Sequence, residues 1–293
     1  MIVDFHSHST ASDGSLTALE LVQRARQQGV ELLSITDHDT LAAYRDLAGQ
    51  SALHAEEGMH IVTGTELSCT WSRRTIHVVG LNIDLDNPVL LAGVKQLQQA
   101  RLERAHIISE RLAKLGFGGG YEYAAALAGD SQIGRPHFAR FLLEKGHVSS
   151  ESEAFKRYLG AGKTGDVKQT WPLMAEVIGW IIAAGGIAVL AHPLHYKMTA
   201  TKLRALVTDF KAAGGQALEV ISGKQAADRT QYLAKLCEQF QLAGSIGSDF
   251  HRPGAGWGEL GQMGRLPAHC QPVWALFNPA LPSTIFASPK VVL

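Results

Sequence analysis

Ile2-Val3-Asp4-Phe5-His6-Ser7-His8-Ser9 sets the reading of the whole chain. The largely apolar run Ile2 to Phe5 predicts a strand, and two histidines spaced i, i+2 follow it at once. In an extended chain that spacing puts both imidazoles on one side. Two imidazoles converging at a strand's end make half of a metal site. A lone His-x-His is a permissive motif, however, so the rest of the chain has to supply the missing ligands.

Working outward, Ser9 to Gly14 is a polar, turn-rich loop that carries Asp13. Thr17-Ala18-Leu19-Glu20 has capping-box spacing, and Ala18, Leu21, Val22 and Ala25 fall on one helical face. Gly29 is the C-terminal stop of that helix. Val30 to Thr36 is β-compatible and ends in Asp37-His38-Asp39. Strand, helix, strand, with polar residues gathering at the strands' carboxyl ends, is how α/β folds build their sites.

The pattern continues with a helix over 41–57 and a third strand, His60 to Glu66. Thr75 to Ile83 alternates and carries His77, which predicts a strand paired with a neighbour. From Pro88 to Thr170 the texture changes: a long helical pattern with Arg101, Arg104 and Arg111, a cluster Gly118-Gly119-Gly120, then short helical segments. This reads as a helical insertion or lid, with 99–170 as its bounds. Alternation then resumes. Pro172 starts a helix, and Ile187 to Leu190 is a strand followed by Ala191-His192-Pro193. Leu203, Leu206, Val207 and Phe210 mark the next helix, and Leu218 to Ile221 is a strand. A helix over 227–240 and a strand over 242–247 lead into Ser248-Asp249-Phe250-His251. Repeated βα units on both sides of an insertion predict a parallel barrel or a doubly wound sheet. From Pro267 onward the chain reads as irregular.

Composition narrows the function. The chain has 293 residues, 46% hydrophobic and 18% charged, enough apolar material for a sizeable core. A formal net charge of zero argues against a bulk basic surface for duplex DNA, while leaving room for a local basic pocket. Cys69, Cys237 and Cys270 are scattered and lack any C-x-x-C spacing, so they read as free thiols of a reducing compartment. Neither a basic leader before the first strand nor a membrane-length apolar run is visible, so a cytoplasmic protein is expected. No obligate protein partner is indicated.

The ends and flanks of the strands supply His6, His8, Asp13, His38, Glu66, His192, Asp249 and His251, and the paired strand adds His77. Each has an ordinary explanation alone, as a cap or an interior hydrogen-bonded histidine. Their joint recurrence at strand ends is what points to a shared metal centre. A set of imidazoles and carboxylates without cysteine fits Mn²⁺, Fe²⁺ or Zn²⁺ and disfavours a structural thiolate site. Nine ligands exceed what one ion takes, and at about three or four protein ligands per catalytic ion they suit two or three.

His6-x-His8, Asp13, Asp37-His38, Glu66, His77, Ala191-His192-Pro193 and Ser248-Asp249-x-His251 together resemble the PHP (polymerase and histidinol phosphatase) family. That resemblance implies a distorted (β/α)7 barrel from residues 1–98 and 171–293, interrupted by the helical insertion, and a trinuclear, commonly manganese, centre. By the same likeness His6, His8, Glu66 and Asp249 hold one ion, and Asp13, His38 and His251 a second. His77 and His192 hold a third and share Glu66. Ions of this kind hold a hydroxide that is nucleophilic near neutral pH and neutralise phosphoryl oxygens, so phosphomonoester hydrolysis is the natural reaction. Asp37 and His195 are the candidates for protonating the leaving oxygen.

The insertion is expected to choose the ester. Gly134-Arg135-Pro136-His137 is a turn able to present Arg135 to a phosphate, which guanidinium grips bidentately. Arg101 and Arg104 lie i, i+3 on one helix and could join it, as could Lys163 and Lys168. Gly160-Ala161-Gly162-Lys163-Thr164 imitates part of a P-loop, but Arg157 stands where the first glycine is required, which argues against an ATP site. Substrate contacts are therefore expected from Arg135, Pro136, His137, Arg101, Arg104 and Lys168, with His38 and His251 at the metal edge. Within the family these features resemble stand-alone phosphoesterases. That implies removal of the 3′-phosphate from nucleoside 3′,5′-bisphosphates such as adenosine 3′,5′-bisphosphate. The alternatives are 5′-to-3′ cleavage of short 5′-phosphorylated RNA, histidinol-phosphate hydrolysis and, in a different class, a non-catalytic metal-binding domain.

Overall fold

A computed structural model describes residues 1–48, 59–129, 131–160, 162–167 and 171–277. The chain opens with strand β1 (Val3–Asp4) and helix α1 (Ala18–Gln27), which buries Ala18, Leu21, Val22 and Ala25. Its N-terminus is closed reciprocally, Glu20 N–H donating to Thr17 Oγ1 at 3.3 Å and Thr17 N–H to Glu20 Oε2 at 2.8 Å. Strand β2 (Leu32–Leu33) and helix α2 (Ala42–Ala48) follow. The rest of the helix expected over 41–57 lies mostly outside the described residues.

The strand expected from His60 to Glu66 divides into β3 (His60–Ile61) and β4 (Gly64–Trp71). Glu66 is thus the third residue of β4 rather than a strand end. β4 runs on into an antiparallel hairpin with β5 (Arg74–Leu81), pairing Ser68 with His77. Helix α3 (Pro88–Ala113) is about 39 Å long at 1.5 Å per residue. It begins with Asn87 Oδ1 accepting from Val89 and Leu90 N–H. Its first half buries Leu90, Val94 and Leu97 in the largest core, against β4, β5 and helix α7 (Met174–Ala183). Its second half puts Ala105, Ile108 and Leu112 into a separate core with Phe138, Phe141 and Leu142. That second core joins helices α4 (Gly120–Ala128), α5 (Arg135–Glu144) and α6 (Glu151–Ala154) and the π-helical turn Phe155–Leu159.

Strand β6 (Ile187–Leu190), helix α8 (Ala200–Ala212), strand β7 (Ala217–Ser222), helix α9 (Ala227–Phe240) and strand β8 (Ala243–Gly247) complete the alternation. Among the described residues after Pro267 there is one short helical turn, Val273–Leu276, and Trp274 and Phe277 lie against Phe5 with ring centroids 6.0 and 5.7 Å away.

The strands form two sheets. One is parallel, ordered β1-β2-β3; the other is mixed, ordered β4-β5-β6-β7-β8. Among the described residues no ladder closes a sheet on itself: the fold is mixed α/β, with two abutting sheets where the resemblance implied a distorted (β/α)7 barrel. At one seam Phe5 N–H donates to Ile246 O at 2.9 Å, Asp249 N–H to His6 O at 2.8 Å and His8 N–H to Phe250 O at 2.8 Å. At the other, among the described residues, a single parallel bridge of His38 with Glu66 takes the place of a ladder. The backbone explains this. Asp249 and Asp39, one at each seam, sit in the left-handed region at φ 52° and 53°, which no continuous strand accepts. Among the described residues, no helix is long and apolar enough to cross a membrane.

Candidate metal centre

Buried carboxylates pull the strand ends together before any ligand is considered. Asp4 is wholly buried and accepts N–H groups from His6, Ser248 and Gly261 at 3.4, 2.9 and 3.1 Å. It therefore ties the turn that carries His6 to the turn that carries Asp249. Burial raises its carboxyl to about 6 despite these hydrogen bonds. Asp37 does the same for the loop bearing Asp13. It accepts Ser9 N–H at 2.8 Å and the Ser9 and Ser12 hydroxyls at 2.6 Å. Both its oxygens are committed to the loop.

Held in this way, the nine residues expected from sequence converge. Their ligand atoms fall into four overlapping groups: His8, Asp13, His38, His251; His6, Glu66, His192; His6, His8, Asp249; and His38, Glu66, His77. Within each group the atoms lie within 4.8 Å of one another. Glu66 is the hub. Its Oε1 lies 2.9 Å from both His77 Nδ1 and His192 Nε2. Its Oε2 lies 2.9 Å from His38 Nδ1, 3.3 Å from His6 Nε2 and 3.4 Å from His8 Nε2. His8 Nε2 is also 3.3 Å from Asp249 Oδ1, and His251 Nε2 is 3.3 Å from Asp13 Oδ1.

These contacts fit cations better than they fit hydrogen bonds. Glu66 Oε2, His6 Nε2, both nitrogens of His8 and His38 Nδ1 are buried, and none has a hydrogen-bond partner despite the short separations. Buried polar atoms are almost always paired, so a carboxylate oxygen facing three imidazole nitrogens without hydrogen-bond geometry is a set of lone pairs aimed at a common centre. The electrostatics agree. Burial alone would neutralise the carboxyls, yet the surrounding imidazoles hold Glu66, Asp249 and Asp13 below the usual carboxylate range. Burial together with His251 pushes His8 down to about 3. The His8 and His251 rings stack with centroids only 4.2 Å apart, a packing that imidazoles tolerate when their charge is carried elsewhere.

The other expected site residues fall in different places. Pro136, His137 and His195 line a cavity of about 720 Å³ together with Asp13, Asp249 and His251. His195 stacks on His192 with centroids 5.2 Å apart. Arg101 is engaged elsewhere: its Nε donates to Asp39 Oδ2 at 2.5 Å, its other nitrogen donates to Ser68 Oγ at 3.2 Å, and its guanidinium lies over Trp171. Arg104 shares the Trp171 ring, and its buried Nε has no partner. Burial, then Arg135 and Arg101, depress Arg104 to about 9. Arg135 opens α5, donates to Leu159 O at 3.2 Å and is likewise lowered by burial. In the P-loop-like stretch, Asp166 Oδ2 accepts Gly162 N–H at 2.8 Å, so an acid occupies the place a phosphate would take. Lys168 lies outside the described residues.

Sequence reasoning missed Asp4, Asp39 and Glu219, all buried. The signal in each was an acid inside or beside an apolar strand, where an unpaired charge is costly.

The PHP domain family profile matches residues 4–163. A Haemophilus influenzae protein named 5′-3′ exoribonuclease is 45% identical over 94% of this chain and 98% of its own. A Chromobacterium violaceum protein named 3′,5′-nucleoside bisphosphate phosphatase is 40% identical over 93% of this chain and 95% of its own. Among solved structures, a Chromobacterium violaceum amidohydrolase with bound sulfate and no metal superposes with a TM-score of 0.86 at 38% identity, covering 96% of this chain and 97% of that one. A candidate metal-dependent phosphoesterase from Bifidobacterium adolescentis gives 0.75 at 26% identity, covering 94% and 96%.

Proposed function

The chain belongs to the PHP domain family and is a metal-dependent phosphoesterase, and we propose that it removes the 3′-phosphate of nucleoside 3′,5′-bisphosphates, leaving the nucleoside 5′-monophosphate. His6, His8, Asp13, His38, Glu66, His77, His192, Asp249 and His251 would hold up to three divalent ions, manganese first among them. Bound there, the ions would supply a nucleophile derived from water at neutral pH and neutralise the phosphoryl oxygens.

The observation that carries the choice of substrate is the pair Arg104 and Arg135. Both guanidinium groups are depressed by burial and by Arg101 nearby, Arg135 adds to the depression of Arg104, and the buried Nε of Arg104 has no hydrogen-bond partner. An anion relieves that arrangement, and the second phosphate of a bisphosphate is an anion of the right geometry. Arg101 contributes charge more than contact, because Asp39 takes its Nε and Ser68 one of its two terminal nitrogens. The helical segment 99–170 serves as the lid that brings these arginines over residues 1–98 and 171–293. With both Asp37 oxygens engaged, His195, which lines the cavity, is the one of the two candidates left to protonate the leaving oxygen.

A second reading, 5′-to-3′ cleavage of short RNA, is favoured by the Haemophilus relative and by the open cavity, whose rim carries Phe155 and the half-exposed Trp257, both able to stack on bases. One comparison separates the readings: kcat/KM of the manganese-loaded protein on adenosine 3′,5′-bisphosphate, histidinol phosphate and a short 5′-phosphorylated RNA. The bisphosphate is expected to be fastest. Faster RNA turnover selects the second reading. Histidinol phosphate turned over as fast as the better of the two nucleotide substrates would sink both.

A further inference from the structure

Strands β6 and β8 lead into His192 and Asp249, while β7 between them delivers no ligand at its end. What β7 carries is Glu219, 2% exposed within the wholly buried run Ala217–Ser222. An ionised carboxylate in such a place is costly unless its oxygens are paired. Both are. Oε1 lies 3.0 Å from His6 Nδ1, and Oε2 accepts the His192 backbone N–H at 2.5 Å. The neighbouring strand leaves room for this through Gly247, where an added Cβ would lie 2.6 Å from Glu219 Oε1 and 2.2 Å from His6 Cβ.

We propose that Glu219 is a positioning residue of the metal centre that locks two ligands from separate strands into one geometry. By accepting from His6 Nδ1–H it fixes the ring so that Nε2, with its lone pair free, faces Glu66 and Asp249 at 3.3 and 3.6 Å. By accepting from His192 N–H it holds that residue at φ 28°, a backbone conformation histidine does not adopt unaided, and so aims its Nε2 at Glu66 Oε1. One carboxylate can do both because it offers two acceptors. An amide cannot, since its NH₂ would meet either the His6 Nδ1–H or the His192 N–H, donor against donor.

The inference rests on the metal-centre reading, so its test must separate the two. The purified chain is stripped of metal. Manganese content and affinity are then measured for the wild type, Glu219→Gln and a control, Glu259→Gln, which breaks an ion pair with Arg24 on the far end of α1. The expected result is a 10- to 100-fold weaker affinity for Glu219→Gln, about what loss of a ligand-orienting partner costs. Its metal-free melting temperature should lie a few degrees below that of the control, because a buried donor loses its acceptor, while the affinity of the control stays at the wild-type value. Should Glu219→Gln not fold, Glu219→Asp takes its place with the same expectation, because it is one methylene too short to reach both partners. Wild-type affinity in a folded Glu219 variant overturns the inference alone. A wild-type chain that binds no divalent ion overturns the metal reading and the inference together.

Discussion

The Arg101–Asp39 pair offers the sharpest test of how the lid is joined to the site. Asp39 is wholly buried, follows His38 directly, and faces Arg101 where α3 passes from one core to the other. Replacing Arg101 with Met keeps most of the stem that packs on Trp171 and removes the charge. Asp39 is then left with one strong side-chain contact, Ser68 N–H at 2.7 Å. Leaving one partner of a buried pair uncompensated costs about 3–5 kcal/mol. At about 2 °C per kcal/mol for a chain of this size, melting should fall by roughly 6–10 °C. Asp39→Asn tolerates the left-handed backbone and keeps an acceptor for Ser68, so it isolates the loss of charge. The double variant Arg101→Met with Asp39→Asn should lose less than the sum of the singles, with a coupling of about 1–3 kcal/mol in urea unfolding of the metal-free protein. The reasoning fails if Arg101→Met costs under about 1 kcal/mol while KM for the bisphosphate rises about tenfold, since that pattern marks a substrate contact instead of a structural pair.

Three further outcomes follow from the geometry. Gly247→Ala pushes a Cβ to 2.2 Å from His6 Cβ, so it should lose about 1–3 kcal/mol of stability and weaken metal binding, read by melting and by metal content. Metal loading at pH 7 should release protons: burial pushes His6, His38, His192 and His251 down, but neighbouring carboxylates outweigh it and raise all four, His251 to about 9. An imidazole must be neutral to bind metal, so affinity should rise with pH up to about 9, and calorimetric heats should differ between buffers of unlike ionisation enthalpy; heats independent of buffer would contradict this. Arg104→Met should raise KM for the bisphosphate about 10- to 100-fold, the worth of a hydrogen bond to a charged group, while stabilising the substrate-free chain by about 1–2 kcal/mol, because a buried guanidinium with an unpaired Nε is removed.

The convergence of the candidate cluster was legible in the sequence because each of its residues is displayed locally. His6, His38, His192 and Asp249 come at or just after the ends of apolar runs, and a polar residue at a strand's carboxyl end needs no knowledge of the partner to be noticed. The residues that hold the ligands were not legible, for a physical reason. Glu219 and His6 are 213 positions apart, and Asp39 and Arg101 are 62 apart, so neither pair leaves a periodic trace. Where the strand ladders stop, at Asp39 and Asp249, the backbone turns left-handed beside the site, which the strand pattern of the sequence did not announce. His192 joins them at φ 28°. Aspartate and histidine enter the left-handed region more readily than most residues, but only packing decides which of them do so. Each of these three positions is itself a ligand of the cluster or lies next to one, and each main chain is held there by a hydrogen bond within the site: Asp39 N–H to Glu66 O, His192 N–H to Glu219, and Asp249 N–H to His6 O. The strain and the ligand geometry therefore have one cause. The hydrogen bonds that hold these residues left-handed also tie neighbouring strand ends to one another, so the strand ends converge on the candidate metal centre.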